Sequence, residues 1–305
     1  MTTAGQKTGS RAPVPAPGGT ARLAGRVVAR IGFGAMQLER RDADRDTAIA
    51  VLRRALGAGV NHIDTAQFYG ECNALIRAAL APYPDDLVLV SKVGAERDAS
   101  GGLVPAQRPE QLRAQVEANL ATLGAEQLDV VNLRRLDAAP GIVAEGDQFV
   151  DLDDQLAELS ALRDAGKIGG VGLSSVSAEQ IDRAAPVGIA CVQNLYSVLD
   201  RTAEPVLDRC REHGVAWVPF FPLGSGFANR ARVTDNPTVT AIAAQIGATP
   251  AQVGLAWLLS HYDGTLLIPG TSDPAHLAEN IAAGAVRLSR ASITALDQLG
   301  VPAPR

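Results

Sequence analysis

Eight short apolar runs, separated by longer stretches of helical pattern, set what this chain can fold into. The runs begin at Ile31, Val60, Leu87, Leu128, Ile168, Ile189, Val215 and Thr265. Each is about four to six residues long and mostly apolar, as in strands buried on both faces. Between them the period changes. Ile49, Leu52 and Leu56 share one helical face, and Leu112, Val116, Leu120 and Leu123 share another. The helix ends are punctuated: Pro109 starts one and Gly124 stops it, and Gly166 and Gly214 stop two more. Ser177 with Gln180, and Thr249 with Gln252 behind Pro250, have capping-box spacing. Asp273-Pro274 opens a late helix in the same way. Strand–helix alternation repeated eight times predicts an α/β chain of the (β/α)8 TIM-barrel class. A doubly wound open sheet is the competing topology, and it needs a glycine-rich phosphate loop after an early strand. Here the segment reads Gly32-Phe33-Gly34-Ala35-Met36-Gln37, with Gln37 where the third glycine belongs.

At 305 residues the chain suits one barrel, which takes about 250. Residues 1–19 are rich in Thr, Ala, Gly and Pro and are expected to be disordered. Residues 20–305 are expected to form the single barrel domain, with a short hairpin at 20–30. Two connections are long, Val93–Arg108 and Arg134–Val150. Both fall on the C-terminal face, where barrels place their active sites.

The net charge is −5, with no basic block, which disfavours nucleic acid as a partner. No apolar run approaches the roughly 18 residues of a membrane helix, and no apolar leader opens the chain, so a cytoplasmic location is expected. The cysteines Cys72, Cys191 and Cys210 are far apart and no Cys/His cluster accompanies them, so no metal site is indicated.

Polar residues gather where the apolar runs end. The second run leads into Asp64, with Tyr69 shortly after; the third ends on Lys92; the fourth ends on Arg134. Lysine occurs only at Lys7, Lys92 and Lys167, so a lysine closing an apolar strand stands out. A tyrosine with an ordinary pKa near 10 is a poor proton carrier at neutral pH. A cation within about 4–6 Å favours its phenolate, and a carboxylate beyond keeps that cation charged. Such a trio suits proton transfer to or from a carbonyl oxygen. A buried structural ion pair is the plainer alternative for Asp64 and Lys92 taken alone. His62 shares the Asp64 strand face and reads as a packed histidine. Of Arg134 and Arg135, strand alternation points only one inward.

In order, spacing and strand-end placement, several segments together resemble the aldo-keto reductases over about residues 20–300. They are His62-Ile63-Asp64-Thr65-Ala66 with Tyr69-Gly70, Ser91-Lys92, Gly172-Leu173-Ser174-Ser175, Gln193 to Tyr196, Phe221 to Ser225, and Ile268 to Ser272 with Glu279-Asn280. The resemblance implies a nicotinamide cofactor, NADPH with NADH as the alternative, and reduction of an aldehyde or ketone to an alcohol. The partner would be a small carbonyl compound. Tyr69 would be the general acid, tuned by Lys92 and Asp64. Ser174, Ser175 and Gln193 would lie near the carboxamide, and Phe220 would stack on the nicotinamide. Pro222, Leu223, Gly224 and Ser225 would follow the pyrophosphate. Gly270, Thr271, Ser272, His276 and Asn280 would hold the adenosine end.

The departures from the family pattern are specific. Arg134 stands where the family usually has a catalytic histidine. It can donate to a carbonyl oxygen, hold a substrate anion or pair with Asp64, but it does not release its proton at neutral pH. Gly270 and His276 replace the lysine and arginine of NADPH-selective members. The amides and dipole at the start of the late helix are expected to favour a phosphate instead. Ser175 replaces an asparagine. A cofactor-binding redox-sensing regulator with slow turnover is the alternative function.

Overall fold

The computed structural model describes residues 14–39, 44–139, 141–224 and 231–300. Strands β1 (Thr20–Leu23) and β2 (Arg26–Ala29) form the expected hairpin. Ala24 and Gly25 between them have φ of 48° and 79°, a turn that matches the right-handed twist of its strands. Leu23 and Val28 are buried in one apolar cluster with Val88, Val90, Val130, Ala216, Val218 and Leu266. This cluster fills the barrel interior. Arg26 reaches Asp129 at 2.8 Å, and Asn61 Oδ1 accepts from the Ala29 amide at 2.8 Å. Both partners sit where strands begin, so the hairpin plugs the N-terminal mouth.

The parallel strands follow: β3 (Phe33–Gly34), β4 (His62–Asp64) and β5 (Val88–Val93). A second antiparallel hairpin, β6 (Ala95–Arg97) and β7 (Leu103–Pro105), intervenes. Then come β8 (Leu128–Arg134), β9 (Ile168–Ser174), β10 (Ile189–Gln193) and β11 (Ala216–Trp217). The sheet order is β3-β4-β5-β8-β9-β10-β11. The eighth position is filled by residues 265–267. Leu266 N donates to Trp217 O and Leu267 N to Arg30 O, each at 2.8 Å, which joins the two edges and closes the barrel. The (β/α)8 architecture is therefore as read from the strand–helix alternation.

The helices are α1 (Arg45–Gly57), α2 (Cys72–Leu80), α3 (Pro109–Leu123), α4 (Leu152–Asp164), α5 (Ala178–Ala184), α6 (Glu204–His213), α7 (Pro237–Ile246), α8 (Pro250–His261), α9 (Pro274–Ala282) and α10 (Arg290–Asp297). Their ends follow the sequence punctuation. Ser177 and Thr249 make full capping boxes, and Gly124 and Gly214 close α3 and α6 in the left-handed conformation. The larger apolar cluster lies between strands and helices, with Ile63, Leu89, Val131 and Leu173 facing Leu52, Ile76, Val116 and Leu159. No single helix among the described residues is long and apolar enough to cross a membrane.

Two expectations need correction. Of the segment 1–19, residues 1–13 lie outside the described residues, but 14–19 are not free of the barrel. Pro17 O accepts from Ile31 N at 3.1 Å, and Gly19 O from Arg30 N at 2.9 Å. The connection Val93–Arg108 also holds the β6–β7 hairpin rather than an irregular loop. Asp98 Oδ1 turns the chain there by accepting from the Ser100 and Gly102 amides, each at 2.9 Å, a local turn chemistry of Asp and Ser.

Candidate active site

Side chains alternate across a strand, so the residues two and four positions on from Val90, Val130 and Cys191 in the interior cluster also point inward. This rule carries Lys92, Asn132, Arg134 and Gln193 into the barrel axis. In register, Lys92 faces Asn132, Arg134 faces Ser174, and Ser174 faces Gln193. Gly172 on β9 has no side chain because Asn132 Oδ1 occupies the place where a Cβ would stand.

Asp64 and Lys92 are joined directly. Lys92 Nζ donates to Asp64 Oδ1 and, at 3.1 Å, to the carbonyl of Thr65. Gln193 Nε2 donates to Asp64 Oδ2 at 2.7 Å, so both carboxylate oxygens are engaged. The side chains of Lys92 and Asp64 are 7% and 4% exposed. Charges taken this far out of water are tolerated only when paired and hydrogen-bonded. Burial alone would lower the Lys92 pKa, but the Asp64 carboxylate and Tyr69 outweigh it, and the ammonium is held above its ordinary value. Lys92 Nζ stands 5.1 Å from the centroid of the Tyr69 ring.

The shift of the Tyr69 pKa runs opposite to the direction that a nearby cation alone would give. Burial raises its pKa above the ordinary 10.0 by more than Lys92 and Arg134 lower it, and Asp64 adds to the rise. The phenol therefore keeps its proton through neutral pH. His62 is buried and its pKa falls to about 4, so it is neutral at neutral pH, as a packed histidine should be.

A polar network outside the barrel wall steadies this group. Thr65 Oγ1 donates to Asn73 Oδ1 at 2.9 Å. Asn73 Nδ2 and Ser91 Oγ both donate to Asn119 Oδ1, at 3.0 and 2.7 Å. The strand positions beside Asp64 and Lys92 are thereby tied to α2 and α3. Thr65 was not singled out from sequence, although its carbonyl receives Lys92. The signal available was its place one residue after Asp64.

Arg134 and Arg135 are separated clearly. Arg135 is buried and makes a two-pronged contact with Asp137, at 2.9 and 2.6 Å, and also reaches Gln155. The Arg134 guanidinium instead lies 5.7 Å from the centroid of Phe68 and acts electrostatically on Tyr69. It does not pair with Asp64, whose oxygens belong to Lys92 and Gln193. Phe68 is a second residue that sequence reasoning missed. Its cue was its place immediately before Tyr69.

The residues expected around a nicotinamide cofactor fall into two groups. At the barrel mouth Ser174 and Gln193 adjoin the Asp64–Lys92 pair. Gln193 Oε1 is buried without a hydrogen-bond partner, an acceptor that fits an amide N–H of a carboxamide. Ser175 is exposed and has φ of 59°, a conformation asparagine tolerates better than serine. Phe220 lies beyond β11, in edge-on contact with Phe221, whose φ is 52°. Pro222, Leu223 and Gly224 follow, held by the hydrogen bond from Val233 N to Leu223 O at 3.1 Å. Ser225 lies outside the described residues.

The second group, Gly270 to Asn280, flanks the start of α9. Thr271 and Asn280 are buried, Ser272 is half-buried and His276 is exposed. A Cβ at Gly270 would run into the carbonyl of Gly34, so no side chain fits there in place of the family's lysine. The helix start is also not open to an anion in the way the sequence implies. The Asp273 carboxylate accepts from the amides of Ala275, at 2.6 Å, and His276, at 3.4 Å. Those donors are occupied by a negative charge of the chain itself. The Asp273 and His276 side chains stand 4.0 Å apart.

Residues 30–301 match the sequence pattern described as the aldo/keto reductase family. Pyridoxine 4-dehydrogenase of Escherichia coli is 43% identical over 286 residues, covering 91% of this chain and 97% of that protein. Probable aldo-keto reductase 1 of Glycine max is 30% identical over 296 residues, covering 86% and 82%. The crystal structure of an aldo-keto reductase from Klebsiella pneumoniae in complex with NADPH superposes with a TM-score of 0.78 at 26% identity, covering 94% of this chain and 96% of that one. The pattern match, the curated relatives and the barrel architecture agree, and this chain belongs to the aldo/keto reductase family of oxidoreductases.

Proposed function

We propose that this protein is an NADPH-dependent carbonyl reductase that interconverts an aldehyde and its alcohol, with pyridoxal and pyridoxine as the first pair to test. The observation that carries the reading is the buried Asp64–Lys92 pair set against the ring of Tyr69. The similarity to pyridoxine 4-dehydrogenase over nearly the whole of both chains supports the substrate. NADPH is the cofactor in the Klebsiella pneumoniae structure. The unpartnered Gln193 Oε1 supports a nicotinamide at the barrel mouth in this chain. The Asp273 cap on α9 gives less support for a 2′-phosphate at the far end, so NADH remains the comparison cofactor.

Bound NADPH supplies the hydride that a carbonyl carbon accepts. The protein's part is the proton. Tyr69, protonated at neutral pH, gives its proton to the carbonyl oxygen, which becomes the alcohol hydroxyl. Lys92 then faces the phenolate and stabilises it until a proton from solvent restores the phenol. Asp64 keeps Lys92 charged and aimed, and Gln193 and the Thr65 carbonyl hold that pair in place. Arg134 supplies a fixed positive charge beside the developing oxyanion without taking part in proton exchange.

The test follows NADPH absorbance with pyridoxal and a panel of simple aldehydes. Wild type turns over, and Tyr69→Phe loses about a thousandfold in kcat while still binding NADPH. Reduction runs level through neutral pH and declines only in the alkaline range, where Tyr69 loses its proton above 10.0. Full turnover by Tyr69→Phe would remove Tyr69 as the acid.

A further inference from the structure

Among the described residues, Arg134 is the strand-end cation of the site whose charge no side chain answers. The other guanidiniums held in the fold are engaged. Arg135 is clasped by Asp137. Arg30 donates to the carbonyls of Thr265, Leu259 and Tyr262. Arg201 meets Glu204 at 2.9 Å. The Arg134 guanidinium has neither a carboxylate nor a carbonyl partner among the described residues. It rests over Phe68, and burial lowers its pKa against the opposing pull of Tyr69. Charge accounting around Tyr69 gives the same result. Asp64 contributes one negative charge and Lys92 cancels it. His62 is neutral and Tyr69 is protonated. Among the described residues Arg134 is left as a positive charge with no counterion.

We propose that Arg134 is the receptor for an oxyanion on the substrate, so that the site selects aldehydes bearing an ionised hydroxyl on the ring carbon next to the one that carries the carbonyl. The position follows from two contacts. Tyr69 must touch the carbonyl oxygen, and Arg134 rests over the Phe68 ring, which meets the Tyr69 ring edge-on at 5.3 Å, so the anion it receives lies beside that carbonyl. A guanidinium presents parallel N–H groups and spans two neighbouring oxygens. One prong meets the ionised hydroxyl and the other the carbonyl oxygen. The Phe68 ring beneath the guanidinium keeps water from that face and strengthens the contact. The proposal deepens the carbonyl-reductase reading and rests on it.

The test compares 2-hydroxybenzaldehyde, 4-hydroxybenzaldehyde and benzaldehyde on wild type, Arg134→Met and Arg134→Lys. Each aldehyde's intrinsic reactivity cancels in the ratio of wild type to variant. A charge-assisted hydrogen bond corresponds to about a ten- to hundredfold preference. The expected result is that Arg134→Met loses about that factor in kcat/KM for the 2-hydroxy compound beyond its loss for the other two. Arg134→Lys, which keeps the charge without the fork, falls between, and it serves as the main variant if the methionine protein does not fold. Equal losses for all three aldehydes would overturn the proposal, as would a 2-hydroxy preference that survives in both variants. If wild type oxidises neither NADPH nor NADH with any aldehyde, carbonyl reduction itself fails. Calorimetric titration of the same aldehydes with NADP+ present then decides the Arg134 claim. Tighter binding of the 2-hydroxy compound that disappears in Arg134→Met upholds it, and no difference between the aldehydes overturns it.

Discussion

Two ionic clusters are built into this barrel, and they are finished differently. One is Asp64 with Lys92, Gln193, Tyr69 and Arg134 at the C-terminal mouth. The other gathers on Glu204 between α6, α8 and α10. There Tyr196 Oη and Arg201 Nε donate to Glu204 Oε2 at 2.5 and 2.9 Å, and His261 Nε2 meets Oε1 at 3.0 Å. Tyr196 stacks on Trp257, whose Nε1 donates to Asp297 at 2.8 Å, while Arg201 also holds the Asp297 carbonyl at 2.9 Å. Every named donor in this second cluster has its acceptor. In the first, among the described residues, Gln193 Oε1 is buried without a donor and Arg134 has no anion. Such open groups cost free energy that a bound ligand would offset. The Glu204 cluster ties helices together, whereas the Asp64 cluster keeps an acceptor and a cation open at the barrel mouth.

The largest effect that tests this contrast comes from removing both charges of the first cluster. Asp64→Asn with Lys92→Met is expected to lower turnover about a thousandfold, because Tyr69 loses the cation that stabilises its phenolate. Losing both charges together creates no new uncompensated buried ion, so the melting temperature stays close to wild type. A double variant that unfolds while the residual folded fraction turns over normally would make the pair structural.

Glu204→Gln should do the reverse. A loss of about 2 to 3 kcal/mol in denaturant unfolding is expected, with turnover per folded molecule unchanged. Burial pushes the Glu204 pKa up, but hydrogen bonds from His261, Tyr196 and Arg201 prevail and hold it at about 2. Its ordinary value is 4.5, so the stabilisation is complete above that pH and disappears as pH falls toward 2. The acid-dependent loss of stability in this window should be smaller in the variant, and an identical acid profile would break the assignment.

The smallest effect concerns Ser175. Its φ of 59° costs a serine more than an asparagine, and Ser175→Asn should gain about 0.5 to 1 kcal/mol. A loss of stability would show that the serine side chain has a role its exposure does not reveal.

Much of the fold was legible because period and punctuation are local properties. The eight apolar runs became the barrel strands within a residue or two, and the capping boxes at Ser177 and Thr249 formed as spaced. Asp64, Tyr69 and Lys92 were also legible, since a polar residue closing an apolar strand has a predictable end and face. Alternation did not say which residue would answer each charge. It pointed only one of Arg134 and Arg135 into the barrel, yet Arg135 turned out buried and paired with Asp137. The Asp273-Pro274 start did mark a capping carboxylate, yet it was not set against the phosphate expected on the same amides.

The sequence by itself determined the architecture and which three residues, Asp64, Tyr69 and Lys92, gather at the barrel mouth, because hydrophobic period and strand-end placement depend on neighbours along the chain. Tertiary structure decided the pKa balance and the open valences. Tyr69 holds its proton because burial outweighs Lys92, Gln193 gives its amide to Asp64 and leaves its oxygen open, and Arg134 is left without a counterion. These outcomes depend on which groups meet across strands far apart in sequence and on how much water each loses, quantities that exist only once the barrel has closed.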